Sequence, residues 1–172
     1  MQDLRSKFIY VAQQPFLFSG GSLRDNLDPY RTVSFGAILE ALEAVGLREE
    51  LESQTNWLKS ENEPIDVDLL STGQKQLLGF VRALLAKGDI VLLDEASAFI
   101  DKKTEELMEQ AMAEYFKDKT TLVIAHKLHT IRKMDMVMAL KRGRLLEKDS
   151  PAVLEADKTS YLAQALRKQE EI

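Results

Sequence analysis

Leu70-Ser71-Thr72-Gly73-Gln74, with the later apolar run Ile90-Val91-Leu92-Leu93 and its acidic end Asp94-Glu95, is the stretch on which the fold turns. Ser71 is a good helix N-cap, and Gln74 completes a capping-box pattern with it. A helix N-terminus led in by a small, flexible loop offers free amides and a positive partial charge, which suit an anion such as phosphate. The second run is short, apolar and closed by acids, as in a buried parallel strand that delivers carboxylates to its C-terminal edge. One acid there suits a hydrated Mg²⁺, and its neighbour suits a water molecule. Phosphate loop, metal carboxylate and base carboxylate together point to nucleotide hydrolysis.

Working outward, the helix opened by Ser71 turns Leu77, Leu78, Val81, Leu84 and Leu85 inward and stops at Lys87-Gly88. After Asp94-Glu95 come a turn over 96–101, a helix over 101–116 and a second buried strand over 120–125 that ends at His126. A short helix over 128–133, a strand over 136–140 turning back through Lys141-Arg142-Gly143-Arg144, and helices from Ser150-Pro151 and from Tyr161 complete this half. Upstream, residues 7–11 read as a strand, stopped where Ala12-Gln13-Gln14 meets Pro15. Phe16-Leu17-Phe18 is an apolar cluster before the flexible Ser19-Gly20-Gly21-Ser22. Short helices follow over 23–27, from Ser34 to Gly46 and over 47–53, and then a polar loop over 54–68. Strands alternate with helices in the second half, so the expected class is α/β with a mainly parallel sheet flanked by helices, and the first half is mostly helical.

Composition narrows the function. The 172 residues are 45% hydrophobic, which suits a folded chain with a real core. With 23 basic and 28 acidic residues the net charge is −5, which argues against a general nucleic-acid surface. Absence of cysteine excludes disulfides and thiolate metal sites, and two histidines do not make a zinc cluster. No apolar run reaches the length of a membrane span. Taken singly, each candidate has a plainer reading: Ser71 and Gln74 as a cap, Asp94-Glu95 as caps or surface acids, His126 as a satisfied surface histidine, Gln13 as a turn residue, Phe16 to Phe18 as core. Their order and spacing set them apart.

That order resembles the nucleotide-binding domain of ATP-binding cassette transporters. Tyr10 through Phe18 is similar to the Q-loop, Leu70 to Gln74 to the LSGGQ signature, and Ile90 to Glu95 to Walker B. Ser97 to Asp101 is similar to the D-loop, and Ile124-Ala125-His126 to the switch-histidine loop. Phe18-Ser19-Gly20-Gly21-Ser22-Leu23-Arg24-Asp25-Asn26-Leu27-Asp28-Pro29-Tyr30 is closest to the C subfamily, which holds the multidrug-resistance-associated proteins and the cystic fibrosis chloride channel. Thr72 departs from the usual first glycine of the signature, Val67 stands where a glycine often precedes it, and Phe99 is bulky for its D-loop position.

The resemblance implies ATP and Mg²⁺ as ligands. Asp94 would hold Mg²⁺, Glu95 would act as general base, and His126 would meet the γ-phosphate. Gln13 would contact both Mg²⁺ and the attacking water. Ser71, Thr72, Gly73, Gln74 and Asp101 would reach ATP held by a second nucleotide-binding domain in a head-to-tail dimer. Partners are that second domain and a transmembrane domain, with the chain on the cytoplasmic side. The expected divisions are 1–18 (Q-loop strand and loop), 19–88 (helical signature subdomain) and 89–172 (Walker B, D-loop and switch histidine).

No glycine in the chain is followed by lysine, so the G-x-x-x-x-G-K-[ST] phosphate loop is missing. The expectation is an incomplete P-loop NTPase domain, a C-terminal part lacking Walker A. Alone it would bind ATP weakly or not at all, hydrolyse none, and self-associate through an apolar sheet edge. Two other readings stand beside this: the C-terminal lobe of an SMC-type or Rad50-type chromosome ATPase, and a non-catalytic module that docks a membrane domain. Gln13 and the helical stretch 22–53 before the signature, with no heptad run, favour the transporter.

Overall fold

The computed structural model describes residues 2–54, 56–95, 100–125 and 127–170. The backbone packs as two compact units, Met1–Ile124 and Ala125–Ile172.

In the first unit a short helix α1 (Gln2–Arg5) leads into β1 (Phe8–Val11), then α2 (Leu23–Leu27), α3 (Phe35–Ala44) and α4 (Leu47–Gln54). A 3₁₀ turn (Val67–Leu69) interrupts the expected loop just before α5 (Thr72–Leu85). Next come β2 (Ile90–Asp94), α6 (Lys102–Tyr115) and β3 (Thr120–Ile124). The three strands form one parallel sheet in the order β1-β2-β3. Tyr10, Leu92 and Leu122 share one row across it, and Val11, Leu93 and Val123 share another.

Alternation decides which face is covered. Ile9, Val11, Val91 and Leu93 point into the core, where they join Leu77, Phe80, Val81 and Leu84 of α5 and Met108 and Ala111 of α6. Each such large side chain, fully buried, contributes roughly 1.5–3 kcal/mol. The opposite face carries Phe8, Tyr10, Leu122 and Ile124, all exposed. The expected second buried strand is therefore corrected: β3 is exposed or half-buried along its length, because α5 and α6 of this unit pack on the face of Val91 and Leu93 and leave the row of Leu122 and Ile124 uncovered by them.

Three serines start helices as their spacing suggests. Ser22 and Asp25 close a capping box on α2, Ser71 and Gln74 close one on α5, and Ser34 Oγ accepts from the Ala37 amide at the head of α3. The α2–α3 region is pinned by a buried ionic knot, in which Arg24 donates to Glu61 at 2.8 Å and to the Val33 carbonyl at 2.6 Å.

In the second unit α7 (Leu128–Arg132) precedes an antiparallel pair, β4 (Val137–Lys141) and β5 (Arg144–Asp149), and then α8 (Pro151–Ala156) and α9 (Tyr161–Glu170). A small core of Leu154, Leu162 and Leu166 receives Ile131 and Val137. The Glu147 carboxylate accepts from the amides of Tyr161 and Leu162, both at 2.8 Å, and so caps α9 with a negative charge. No helix among the described residues is long and apolar enough to cross a membrane.

Candidate functional site

The head of α5 is built by its own side chains. Ser71 Oγ accepts from the Gln74 amide at 3.1 Å, and Gln74 Oε1 accepts from the Ser71 amide at 2.8 Å. Gln74 also donates to Gln54 at 3.3 Å, and its side chain is buried. It therefore serves the cap, while Ser71 and Thr72 are exposed and Gly73 half-exposed at the helix end. The amides of Thr72 and Gly73 belong to the first turn, where no intrahelical acceptor exists, so they suit an anion.

Asp101 lies across from this end. It is the N-cap of α6, accepting from the Thr104 amide at 3.1 Å and the Thr104 hydroxyl at 2.7 Å. Those bonds, the hydroxyl's first, hold its carboxyl below the usual Asp range. Ser71, Thr72, Gly73, Gln74, Asp101 and Thr104 line one open cleft of about 430 Å³, together with Glu50, Leu77 and Ile100. The five residues expected to contact nucleotide are thus brought to one place.

A second cluster forms at the C-terminal end of β2. Asp94 is the strand's last residue, paired in register with Ile124 of β3. Glu95 follows in a left-handed conformation, φ 49°, which costs a side-chain-bearing residue about 1–3 kcal/mol and persists only where surroundings enforce it. Its amide donates to the Ile124 carbonyl at 3.2 Å. Gln13, just past β1, donates through Nε2 to Glu95 Oε2 at 2.9 Å. Tyr10 donates to Asp94 Oδ2 at 3.4 Å. Parallel pairing of β1 with β2 explains the meeting, since it sets the ends of both strands side by side. His126 and residues 96–99 of the expected D-loop lie outside the described residues.

Asp94 and Glu95 offer hard oxygen ligands, and no group of three or more His, Cys, Asp or Glu gathers among the described residues. That donor set suits Mg²⁺, which takes one or two carboxylates and completes its shell with phosphate and water. The helix end suits one flank of a polyphosphate, but the chain offers no glycine-lysine loop for the other.

Four further residues tie this region together, and single-residue reading missed them. Gln76, 1% exposed, donates from α5 to the Glu95 carbonyl at 3.1 Å. Gly79 packs against Pro15 so closely that an added Cβ would lie 2.6 Å from the proline Cβ. Arg82 donates to the carbonyls of Asn26, at 2.7 Å, and Phe16, at 3.0 Å, and burial lowers its pKa. Asn26 accepts from the Phe18 amide at 2.7 Å and donates to the Phe18 carbonyl at 3.0 Å. The available signal was a polar residue within an apolar helical stripe, as at Gln76.

Comparison with known proteins identifies the family and the fold. The family model described as ABC transporter matches residues 1–98. The chain is 42% identical over 96% of its length to the ABC transporter gloK of Glarea lozoyensis. It is 39% identical over 93% of its length to ATP-binding cassette sub-family C member 4 of Homo sapiens. It spans 12% of the length of each of these relatives. A bacterial Atm1-family ABC exporter with ATP bound superposes on 98% of the chain with a TM-score of 0.85 at 25% identity, the chain covering 29% of that protein. With more than half of its residues matched by the family model and the three-stranded parallel core in place, the chain belongs to the ABC transporter family.

Proposed function

We propose that this chain supplies the signature, Walker B and Q-loop part of an ATP-hydrolysing cassette that powers membrane transport. The observation that carries the reading is the 2.9 Å hydrogen bond from Gln13 to Glu95, which joins the water-sensing and base residues of the family's motifs from just past the ends of two neighbouring strands.

In this reading residues 1–18 carry the Q-loop, 19–88 the helical signature subdomain and 89–172 the rest of the core. Asp94 holds Mg²⁺, with Gln13 beside it. That ion, when bound, neutralises charge developing on the transferred phosphoryl group. Glu95 accepts the proton of the attacking water, and Gln13 orients both carboxylate and water. His126 holds the γ-phosphate. Ser71, Thr72, Gly73, Gln74 and Asp101 contact ATP bound by a second cassette, head to tail, so hydrolysis needs two copies of the motif set. Glu95, rather than Gln, which has no carboxylate to take a proton, or the shorter Asp, favours a hydrolysing site. The cassette sits on the cytoplasmic face of the membrane, against a transmembrane domain.

Because these 172 residues lack a glycine-lysine phosphate loop, the chain alone holds ATP weakly and does not turn it over. Calorimetry of ATP·Mg²⁺ with this chain, beside a complete cassette that includes a Walker A loop, tests the claim. Binding by the complete cassette alone, with Glu95→Gln trapping ATP in a dimer, is the expected result. Tight binding by the short chain refutes the claim about the missing loop, and unchanged hydrolysis by Glu95→Gln removes Glu95 as base.

One observation favours an additional docking role. Phe16 and Phe18 are 69% and 56% exposed, their rings meeting edge to face at 4.8 Å, on a backbone held by Arg82 and Asn26. Such an aromatic knob on a braced loop suits an amphipathic helix of the membrane domain. Phe16→Ala with Phe18→Ala should uncouple transport in the complete transporter while ATP hydrolysis persists. Intact transport by that double variant counts against docking there.

A further inference from the structure

The side chain of Gln76 is buried on the inner face of α5, two residues past the signature, yet it reaches out of the apolar stripe to a backbone atom at the end of β2. That atom is the carbonyl oxygen of Glu95, 3.1 Å away. On the other side of the same residue, the Glu95 amide donates to the Ile124 carbonyl of β3 at 3.2 Å. Glu95 stands at φ 49°, a conformation that a residue with a Cβ keeps only when its neighbours impose it. The two bonds therefore clamp a strained residue from the helix and from the sheet. From that clamped backbone its carboxylate meets Gln13 at 2.9 Å.

We propose that Gln76 is a positioning residue: through the Glu95 carbonyl it fixes the backbone turn that aims the Glu95 carboxylate at its water. The inference rests on the reading of Glu95 as general base. It also makes α5 a direct link between the signature at its head and the base at the end of β2. Both are then set by one rigid helix, so a shift of α5 on pairing with a second cassette is passed to Glu95 without crossing the nucleotide.

A purely structural role, in which Gln76 only satisfies a buried carbonyl, makes a different prediction, and a double-mutant cycle separates the two. The complete ATP-hydrolysing transporter is made as wild type, Gln76→Met, Glu95→Gln and the double variant; methionine keeps the length and bulk of glutamine but removes the donor. Expected for Gln76→Met is a kcat lower by about tenfold or more, with KM for ATP changed less than about threefold. In the Glu95→Gln background the same substitution should produce no further loss. Wild-type kcat in Gln76→Met, or an equal loss in both backgrounds, overturns the positioning role. If Gln76→Met does not fold, as judged by its melting curve, Gln76→Asn keeps the amide but withdraws it by one methylene. It should again lower kcat with KM held, and a wild-type kcat there is equally decisive against the proposal. Failure of the underlying reading looks different: Glu95→Gln alone would then hydrolyse ATP at the wild-type rate, and the role of Gln76 would fall with it.

Discussion

Asp28 shows how one residue holds the helical region together. Burial pushes its carboxyl up, but bonds from the Thr32 amide and hydroxyl and the Val33 amide, with the nearby Arg24 charge, bring it below the usual Asp range. A depressed folded pKa means the unfolded chain takes up the proton first. Its stabilisation is then complete at neutral pH, above the unfolded pKa, and is lost as pH falls through the lower folded value. Asp28→Asn should cost about 2–3 kcal/mol at pH 7, and the gap to wild type should close in denaturant melts below about pH 4. A constant gap across that range would show that the charge is not what Thr32, Val33 and Arg24 recognise. The short helix expected over 23–27 ends where Asp28 stands as the C-cap of α2. Its role as a hub was not readable, because Arg24 completes its knot with the remote Glu61. Likewise Asp94 and Glu95 stood out as acids ending an apolar run, while the left-handed turn at Glu95 has no local trace in a residue that is not glycine.

At the scale of elements, α5 is the strut. Its cap and its apolar face were legible, since Ser71, Gln74 and the leucine spacing obey local rules. Three other positions break those rules, and each points at a segment distant in sequence: Gln76 at Glu95, Gly79 at Pro15, and Arg82 at Phe16 and Asn26. Glycine inside a helix normally costs about 1 kcal/mol relative to alanine, so Gly79→Ala would stabilise a free helix. Here the added methyl would lie 2.6 Å from Pro15 Cβ and 2.9 Å from its Cγ, and a proline ring cannot swing away. The net effect should be a loss of about 1–3 kcal/mol, with the loop after β1 displaced and Gln13 drawn off Glu95. Thermal melts of Gly79→Ala measure the first effect, and the amide shifts of Gln13 in nuclear magnetic resonance measure the second. A variant more stable than wild type would mean that Pro15 yields and that the close approach is not a constraint.

For the whole molecule, the uncovered face of the β1-β2-β3 sheet sets the behaviour in solution. Parallel sheets are stable when both faces are covered, and here the face carrying Phe8, Tyr10, Leu122 and Ile124 is apolar and exposed. Alternation in β1 and β2 was readable, but an apolar run such as Ile90-Val91-Leu92-Leu93 looks the same whether one face is buried or both. The sequence reading therefore made β3 a second buried strand and expected association at a sheet edge; the structure adds an exposed apolar face between the outer strands β1 and β3. With Tyr10, Leu92 and Leu122 aligned in one row, two copies that lay these faces together would remove apolar area from water at about 25 cal/mol per Å². We therefore expect the chain to associate reversibly as its concentration rises, in sedimentation velocity at neutral pH. Leu122→Lys should shift that association to higher concentration, because a charge in the middle of the row must be desolvated to pair. Its cost to folding should be small, since Leu122 is 47% exposed and points away from α5 and α6. Equal association by wild type and Leu122→Lys would locate the contact elsewhere, with the outer strands β1 and β3 next to be tested by edge charges. A wild-type chain that stays monomeric throughout would mean that one copy already shields this face well enough in water.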